Sequence, residues 1–330
     1  MRRAIAAVGF ATLISLTVGS SVASADPATR LKSGFDHVFV IMMENTSYGS
    51  LIGNPNAPWI NQAAAKYGIA TNYYGITHPS QPNYIAATSG STNGVPNDND
   101  ITIDIPNIVD QLESHGRSWK AYMQSYSLCA TPLDHACGNQ LYERKHNPFI
   151  SYADVQSDPS RVANIVDFSE LGTDLSSGNV ANYVWISPNQ CSDMHGRGAP
   201  ASDPCSFSNE QQLIATGDSF LSNTVGTIMS SPAWTGNSVI FVTWDESDFT
   251  NASGNFGFGD TSGCCDANPG GGHVLTLVIS RGDTQPESSD RAFNHYSMLR
   301  TIEDGWGLGH LGFTGDKAVP AMFSLIHFGG

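Results

Sequence analysis

The stretch Ser238-Val239-Ile240-Phe241-Val242-Thr243-Trp244-Asp245-Glu246 decides how this chain folds. β-Branched and aromatic residues run on without alternation and then stop at two adjacent carboxylates. A strand apolar on both faces belongs inside a sheet covered on both sides, the condition of a parallel sheet flanked by helices. Three further stretches read the same way: 37–43 (HVFVIMM), 183–186 (YVWI) and 274–279 (VLTLVI). Between them lie apolar residues at helical spacing. Residues 59–67 end at Gly68, read as a C-cap, and 108–115 end at Gly116 in the same role. Residues 209–229 and 294–306 carry the same spacing, the latter with Asn294 as N-cap. Strands alternating with helices predict an α/β sandwich on a mostly parallel central sheet.

The carboxyl end of each strand is as informative as the strand. The first runs into Glu44-Asn45, the second into Asn189 and then Asp193-Met194-His195, the third into Asp245-Glu246. Open parallel sheets place their ligand sites at the carboxyl ends of strands. Glu44, Asn45, Asp245 and Glu246 together form a set of hard oxygen donors suited to a divalent cation. Adjacent acids after a buried strand repel unless a cation neutralises them. A solvated acidic turn is the plainer alternative, and Asp248 nearby fits it. Asn45-Thr46-Ser47 and Asn251-Ala252-Ser253 also match a glycosylation acceptor, a triplet common by chance.

His78-Pro79-Ser80-Gln81-Pro82-Asn83-Tyr84 brackets a serine with two prolines, and the expectation is a rigid turn displaying the hydroxyl. A nearby cation would lower that hydroxyl's pKa and make Ser80 a nucleophile without a histidine base. Asn83 is placed to donate a hydrogen bond to a phosphate oxygen. From composition alone the same stretch also reads as an ordinary Pro-rich turn. His146, His195, His273 and His295 are the histidines of interest, with His78 at the head of the serine turn a further possible member. His195 lies two residues after Asp193, so both can reach one ion or one substrate oxygen. His295 comes after Asn294 at a helix start, where an anion would be favoured. Gly217-Asp218-Ser219 imitates a lipase signature but sits inside a predicted helix, and neither G-x-S-x-G nor H-E-x-x-H occurs.

The chain has 330 residues, with 15 Lys and Arg against 30 Asp and Glu, a net charge of -15. Arg2 and Arg3, the apolar run from Ala4 and Ala23-Ser24-Ala25 read as a signal peptide over 1–25, cleaved near Ala25 and Asp26. Export without Arg2 and Arg3 deepens the charge to -17. Such a surface repels nucleic acid and anionic membrane, and the signal's apolar run is too short for stable membrane insertion. A secreted monomer with one domain over 26–330 is expected, since no linker, repeat or heptad pattern divides the chain. Six cysteines in an exported chain suggest three disulfides. Spacing favours Cys129–Cys137 and Cys191–Cys205, leaving Cys264 and Cys265 as neighbours for a vicinal bridge, among fifteen possible pairings.

These motifs, taken in order, resemble the phosphoesterase family that holds secreted bacterial acid phosphatases and bacterial phospholipases C, within the alkaline-phosphatase-like superfamily. The matching stretches are Met43-Glu44-Asn45, His78 to Tyr84, Arg144-Lys145-His146-Asn147-Pro148-Phe149, Pro188-Asn189-Gln190 with Asp193-Met194-His195, Val242 to Glu246, and His295-Tyr296-Ser297-Met298-Leu299. They cover about residues 36–310. The resemblance is nearest to the acid phosphatase branch, which includes a secreted mycobacterial phosphatidylinositol 3-phosphate phosphatase. The phospholipase branch has Thr at the position of Ser80 and further C-terminal domains. The resemblance implies an alkaline-phosphatase-like three-layer α/β/α sandwich and a phosphoserine mechanism. It implies a divalent metal (Ca, Mg, Mn or Zn) on Glu44, Asn45, Ser80, Asp245 and Glu246. Positions matching His146, Asp193, His195 and His295 would bind phosphate or move protons. His273 matches a histidine of the phospholipase branch.

The expected activity is thus release of phosphate from a monoester, phosphoinositides included. The alternatives are a phospholipase C-type phosphodiesterase and a catalytically silent calcium-binding surface protein. The partner expected is a phosphate-ester substrate, either a small molecule or a phospholipid head group.

Overall fold

A computed structural model describes residues 34–248, 259–283 and 285–328, together with Met1. The segment read as a signal peptide and the Asn251 triplet lie outside the described residues.

The four continuous apolar runs form the middle of the molecule. They are β1 (Val38–Met43), β5 (Tyr183–Ser187), β6 (Val239–Trp244) and β7 (His273–Ser280). The other strands of the sheet are β2 (Gly68–Tyr74), β3 (Trp119–Met123), β4 (Ile165–Asp167), β8 (Glu287–Ser289) and β9 (Phe293–Asn294). This nine-stranded sheet runs β8-β2-β7-β6-β1-β5-β3-β4, with β9 also paired to β2. Strand β1 pairs parallel with β5 on one side and β6 on the other, and every residue of the three is buried. Burial on both faces requires helices on both, and the order of strands and helices yields a three-layer α/β/α sandwich. Strand β7 is the exception to parallel pairing, lying antiparallel to both β6 and β2.

Six helices matter for the layers: α1 (Pro58–Ala64), α2 (Ser80–Ser89), α3 (Ile108–Ser114), α4 (Leu171–Ser177), α5 (Glu210–Ser230) and α6 (His295–Trp306). Helix α2 packs on α6, and α1 packs on α5. Asn294 caps α6, its Oδ1 accepting from the Ser297 N–H at 3.2 Å while Ser297 Oγ accepts from the Asn294 N–H at 3.2 Å. Asp218, inside the lipase-like triplet, has a structural role: its carboxylate accepts from the N–H groups of Trp59 (3.1 Å) and Ile60 (2.8 Å) at the start of α1.

Two sequence expectations need correction. Gly68 is not a helix cap: α1 stops at Ala64, and Gly68 opens β2, where a Cβ would sit 2.8 Å from the carbonyl oxygens of Val278 and Leu325. The Pro-rich segment around Ser80 is not a free turn either. Ser80 is the first residue of α2, and Pro82 falls in the first turn, where a missing N–H costs nothing.

The three disulfides are Cys129–Cys137, Cys191–Cys205 and Cys264–Cys265, the set that spacing favoured. The second staples the loop that leaves β5. Among the described residues, no helix is long and apolar enough to cross a membrane.

Candidate active site

Register assembles the site. Met43 of β1 pairs with Trp244 of β6, so the next residues, Glu44-Asn45 and Asp245-Glu246, emerge side by side at one sheet edge. The Asp245 N–H donates to the Met43 carbonyl at 3.0 Å and extends the pairing by one bond. Asn45 turns the chain with φ 37, a left-handed value that Asn tolerates better than most residues. Its backbone N–H donates to Asp245 Oδ1 (3.0 Å) and its side-chain Nδ2 to Glu246 Oε1 (3.0 Å). Gly75, at the end of β2, permits close approach here: a Cβ on it would sit 2.7 Å from the Asp245 carbonyl oxygen.

Ser80 enters this cluster from the start of α2. Its buried Oγ lies 3.1 Å from Glu44 Oε2, 3.0 Å from Glu246 Oε1 and 3.5 Å from Asn45 Oδ1. A hydroxyl has one hydrogen to give, so three oxygen acceptors around it exceed what it can satisfy. Asp245 Oδ2 is buried beside them with no hydrogen-bond partner. Burial, with Glu44 and Glu246 opposite, pushes the Asp245 carboxyl well above the usual range. Burial likewise raises Glu246 to about 6, against the opposing pull of His78. Surplus acceptors, an orphan carboxylate oxygen and mutually repelling buried acids are the donor chemistry of a hard divalent cation. Glu44, Asn45, Ser80, Asp245 and Glu246 fit one.

Glu44 is held differently. Burial alone would raise its pKa, but His146, Lys145 and His195 face it and lower it to about 2. The Tyr84 hydroxyl donates to Glu44 Oε1 at 2.6 Å, and His146 Nε2 stands 3.3 Å from the same oxygen. The Tyr84 ring stacks on the His146 ring at 5.4 Å. The His146 pKa rises, burial being outweighed by Glu44. Asp193 supports the turn from β5: its carbonyl accepts the Glu44 N–H (2.9 Å) and its Oδ1 accepts the N–H groups of His195 (2.9 Å) and Gly196 (3.3 Å). Burial and nearby Glu44 raise the Asp193 carboxyl to about 7, while burial lowers His195 to about 4.

The remaining expected residues are placed one shell out. Asn83 spends both side-chain hydrogens on the carbonyls of Thr77 (2.8 Å) and Pro79 (3.1 Å), and its Oδ1 accepts from the Ile76 and Thr77 N–H groups. It has no hydrogen left for a phosphate; it shapes the segment that carries Ser80. His295 is fully buried between the Asp245 carbonyl (Nε2, 2.6 Å) and the Tyr73 hydroxyl (Nδ1, 3.1 Å), which fixes the Asp245 backbone rather than facing substrate. His78 joins Glu246 through Nδ1 and the Asp260 carbonyl through Nε2 at 2.9 Å. His273 stands further out, stacked on Tyr48 at 4.6 Å with Nε2 on the Thr71 carbonyl at 3.0 Å. Asn45 is 6% exposed, so its glycosylation triplet is not on the surface.

Sequence reading missed three members. Tyr84 lies one helical turn beyond Ser80, a spacing that puts both on one face once a helix is recognised. Lys145 precedes His146, with Nζ 2.9 Å from Asp98 Oδ2. Burial opposes its charge, but Glu44 and Asp98 raise its pKa further. Asp98 Oδ1 in turn accepts the N–H of Gln81, next to Ser80, at 2.9 Å.

A buried serine at a helix start, ringed by carboxylates and histidines, suits attack on an anionic ester. Residues 54–309 match the Phosphoesterase family. The chain belongs to that family. This phosphoesterase-family chain is 28% identical over 311 residues to a probable acid phosphatase of Kluyveromyces lactis, across 90% of this chain and 66% of the relative. It thus spans slightly less than two thirds of the length of that yeast protein. It is 27% identical over 316 residues to the phosphatidylinositol-3-phosphatase of Mycobacterium tuberculosis, across 94% of this chain and 90% of the relative. Its fold matches a protein of the alkaline phosphatase superfamily from Vibrio parahaemolyticus with a TM-score of 0.54 at 13% identity, across 83% of this chain and 67% of that one.

Proposed function

We propose that this chain is a metal-dependent phosphomonoester hydrolase of the acid phosphatase type, with Ser80 as nucleophile. The observation that supports this best is Ser80 Oγ at the first residue of α2, within 3.5 Å of oxygens from Glu44, Asn45 and Glu246. Glu44, Asn45, Asp245 and Glu246 would hold the cation, which when bound lowers the pKa of the Ser80 hydroxyl and offsets the charge of the phosphate. Ser80 Oγ attacks phosphorus, its proton passing to Glu246 Oε1, which lies 3.0 Å away, and the bond from phosphorus to the leaving alkoxide breaks. The positive end of α2 favours the phosphoryl group at its first turn. His146, whose pKa is raised beside Glu44, is placed to protonate the departing alkoxide, and His195 to donate a hydrogen bond to a phosphate oxygen. Water then cleaves the phosphoserine and restores the hydroxyl.

In this reading residues 1–25 direct export and 26–330 act as one secreted domain. The disulfides, which persist in oxidising compartments, agree with export. A phosphoinositide head group is among the substrates proposed, as the name of the mycobacterial relative suggests. Ser80→Ala, assayed with p-nitrophenyl phosphate and a divalent cation, is expected to lose turnover by several orders of magnitude. Near-full activity would overturn the assignment of the nucleophile.

A further inference from the structure

A disulfide stabilises a fold by closing a loop of chain, and the gain grows with the length of the loop. Cys129–Cys137 and Cys191–Cys205 join residues 8 and 14 positions apart, whereas Cys264–Cys265 joins neighbours and closes almost nothing. Its effect is local. Cys265 and the next residue, Asp266, are both held at left-handed φ values of 56 and 67, a region that residues with a Cβ seldom occupy in succession. In that arrangement the carbonyls of Cys264 and Cys265 converge, and both accept from Asn294 Nδ2, at 3.0 and 3.1 Å. Asn294 is the N-cap of α6, and the residue after it, His295, holds the Asp245 carbonyl at 2.6 Å. The same loop reaches the acid cluster twice more. The Gly271 carbonyl accepts the N–H of Ser247, next to Glu246, at 2.8 Å, and the Asp260 carbonyl is bound by His78, the partner of Glu246. The loop that carries the bridge therefore grips the backbone or the partner of both acids at the end of β6.

We infer that Cys264–Cys265 is a redox-sensitive site, and that its reduction by a dithiol loosens the cation site at Asp245 and Glu246. The inference rests on the cation reading of that cluster and adds a means of controlling it. One thiol of the reductant attacks a bridge sulfur, the S–S bond breaks and a mixed disulfide forms. The second thiol then displaces it, leaving a cyclic disulfide on the reductant and two thiols on the chain. Two electrons and two protons pass from the dithiol to the bridge. Two features direct the reductant here before the other bridges. Cys264 and Cys265 are both part-exposed, whereas Cys137 and Cys205 are buried. Opening this bridge gives up almost no loop closure and lets Cys265 and Asp266 leave the left-handed region, so it relieves backbone strain. The two carbonyls then separate, Asn294 loses its paired acceptors, and the hold of His295 on Asp245 slackens.

The test titrates the mature, disulfide-bonded chain with dithiothreitol, traps each step by alkylation and locates the new thiols by mass spectrometry. Cys264 and Cys265 are expected to be labelled first. At that step, with the reductant removed in the absence of air and the thiols left unalkylated, calorimetry should show Mn²⁺ bound about tenfold or more weakly than by the oxidised chain. Hydrolysis of p-nitrophenyl phosphate at sub-saturating Mn²⁺ should fall with it, and reoxidation should restore both. Cys264→Ser combined with Cys265→Ser should bind Mn²⁺ as weakly as the reduced parent with no reductant present. Asn294→Ser keeps an N-cap oxygen but has no amide to bridge the two carbonyls. It should bind Mn²⁺ weakly in the oxidised state and change less than about twofold on reduction. Prior opening of either other bridge, or Mn²⁺ affinity within about twofold after Cys264–Cys265 opens, overturns this inference alone. An oxidised chain that binds no Mn²⁺ overturns the cation reading beneath it.

Discussion

Glu303 offers a stability test far from the candidate active site. It lies inside α6 with no solvent exposure, its Oε1 accepting the Leu311 N–H at 2.9 Å and its Oε2 unpaired. Burial raises its pKa from 4.5 to about 7, in spite of the Leu311 N–H hydrogen bond that favours the charged form. Between those two values the folded chain holds one proton more than the unfolded chain. Stability from this group is therefore lost as pH rises from 4.5 to about 7 and is constant above. The difference of about 2.5 pKa units corresponds to about 3 kcal/mol. Glu303→Gln removes the titration while keeping an oxygen for Leu311. The variant should match the parent near pH 4 and exceed it by up to about 3 kcal/mol at pH 7.5. For a chain of 330 residues that is a rise in Tm of about 4 °C. Calorimetric melts at pH 4, 5.5 and 7.5, on metal-free and metal-loaded protein, measure it. A shift independent of pH, or a loss at pH 7.5, would refute the reasoning.

Other perturbations address the site. Tyr84→Phe removes a hydrogen bond to a buried carboxylate without changing packing, and urea unfolding should show a loss of about 2 kcal/mol. Asp245→Asn should weaken metal retention at least about tenfold on dialysis and abolish turnover. The same change removes one of three mutually repelling acids, so its metal-free form should melt above the metal-free parent; a lower melt would argue against that repulsion. Asn83→Ala leaves two N–H groups and two carbonyls near Ser80 unpaired, and urea unfolding should report a loss of about 2–4 kcal/mol.

Strands β1, β5, β6 and β7 were legible because each is a continuous apolar run, and the register of β1 on β6 agrees with their equal length and shared acidic ends. Strand β2 was not, because Gly68 mimics a helix cap and Thr71 and Asn72 interrupt its apolar pattern. Strand β3 carries Lys120, whose stem lies in the sheet while its ammonium reaches Asp174 at 2.7 Å. Helix α2 was hidden by its prolines, and with it the relation between Ser80 and Tyr84. The cluster of Glu44, Asn45, Ser80, Asp245 and Glu246 was readable as residue types at strand ends. That Asn83 spends its amide on backbone, and His295 its ring on the Asp245 carbonyl and Tyr73, was not, since partners from β2, α2 and β6 converge only in three dimensions.

The Met43–Trp244 register makes the spacing of the carboxylates a property of the sheet, not of the loops. Neighbouring strands lie about 4.8 Å apart whatever connects them. The connections after Asn45 and after Glu246 can therefore lengthen or shorten over evolution, or in the hands of an engineer, without retuning the distances on which ion capture depends. One position lacks that freedom. Deleting a single residue within Val38–Met43 would bring Asn45 to the place of Glu44 and turn the strand's side chains to the opposite faces. Change in the connections is thus expected to leave the cluster's spacing intact, whereas change within the strands alters it directly.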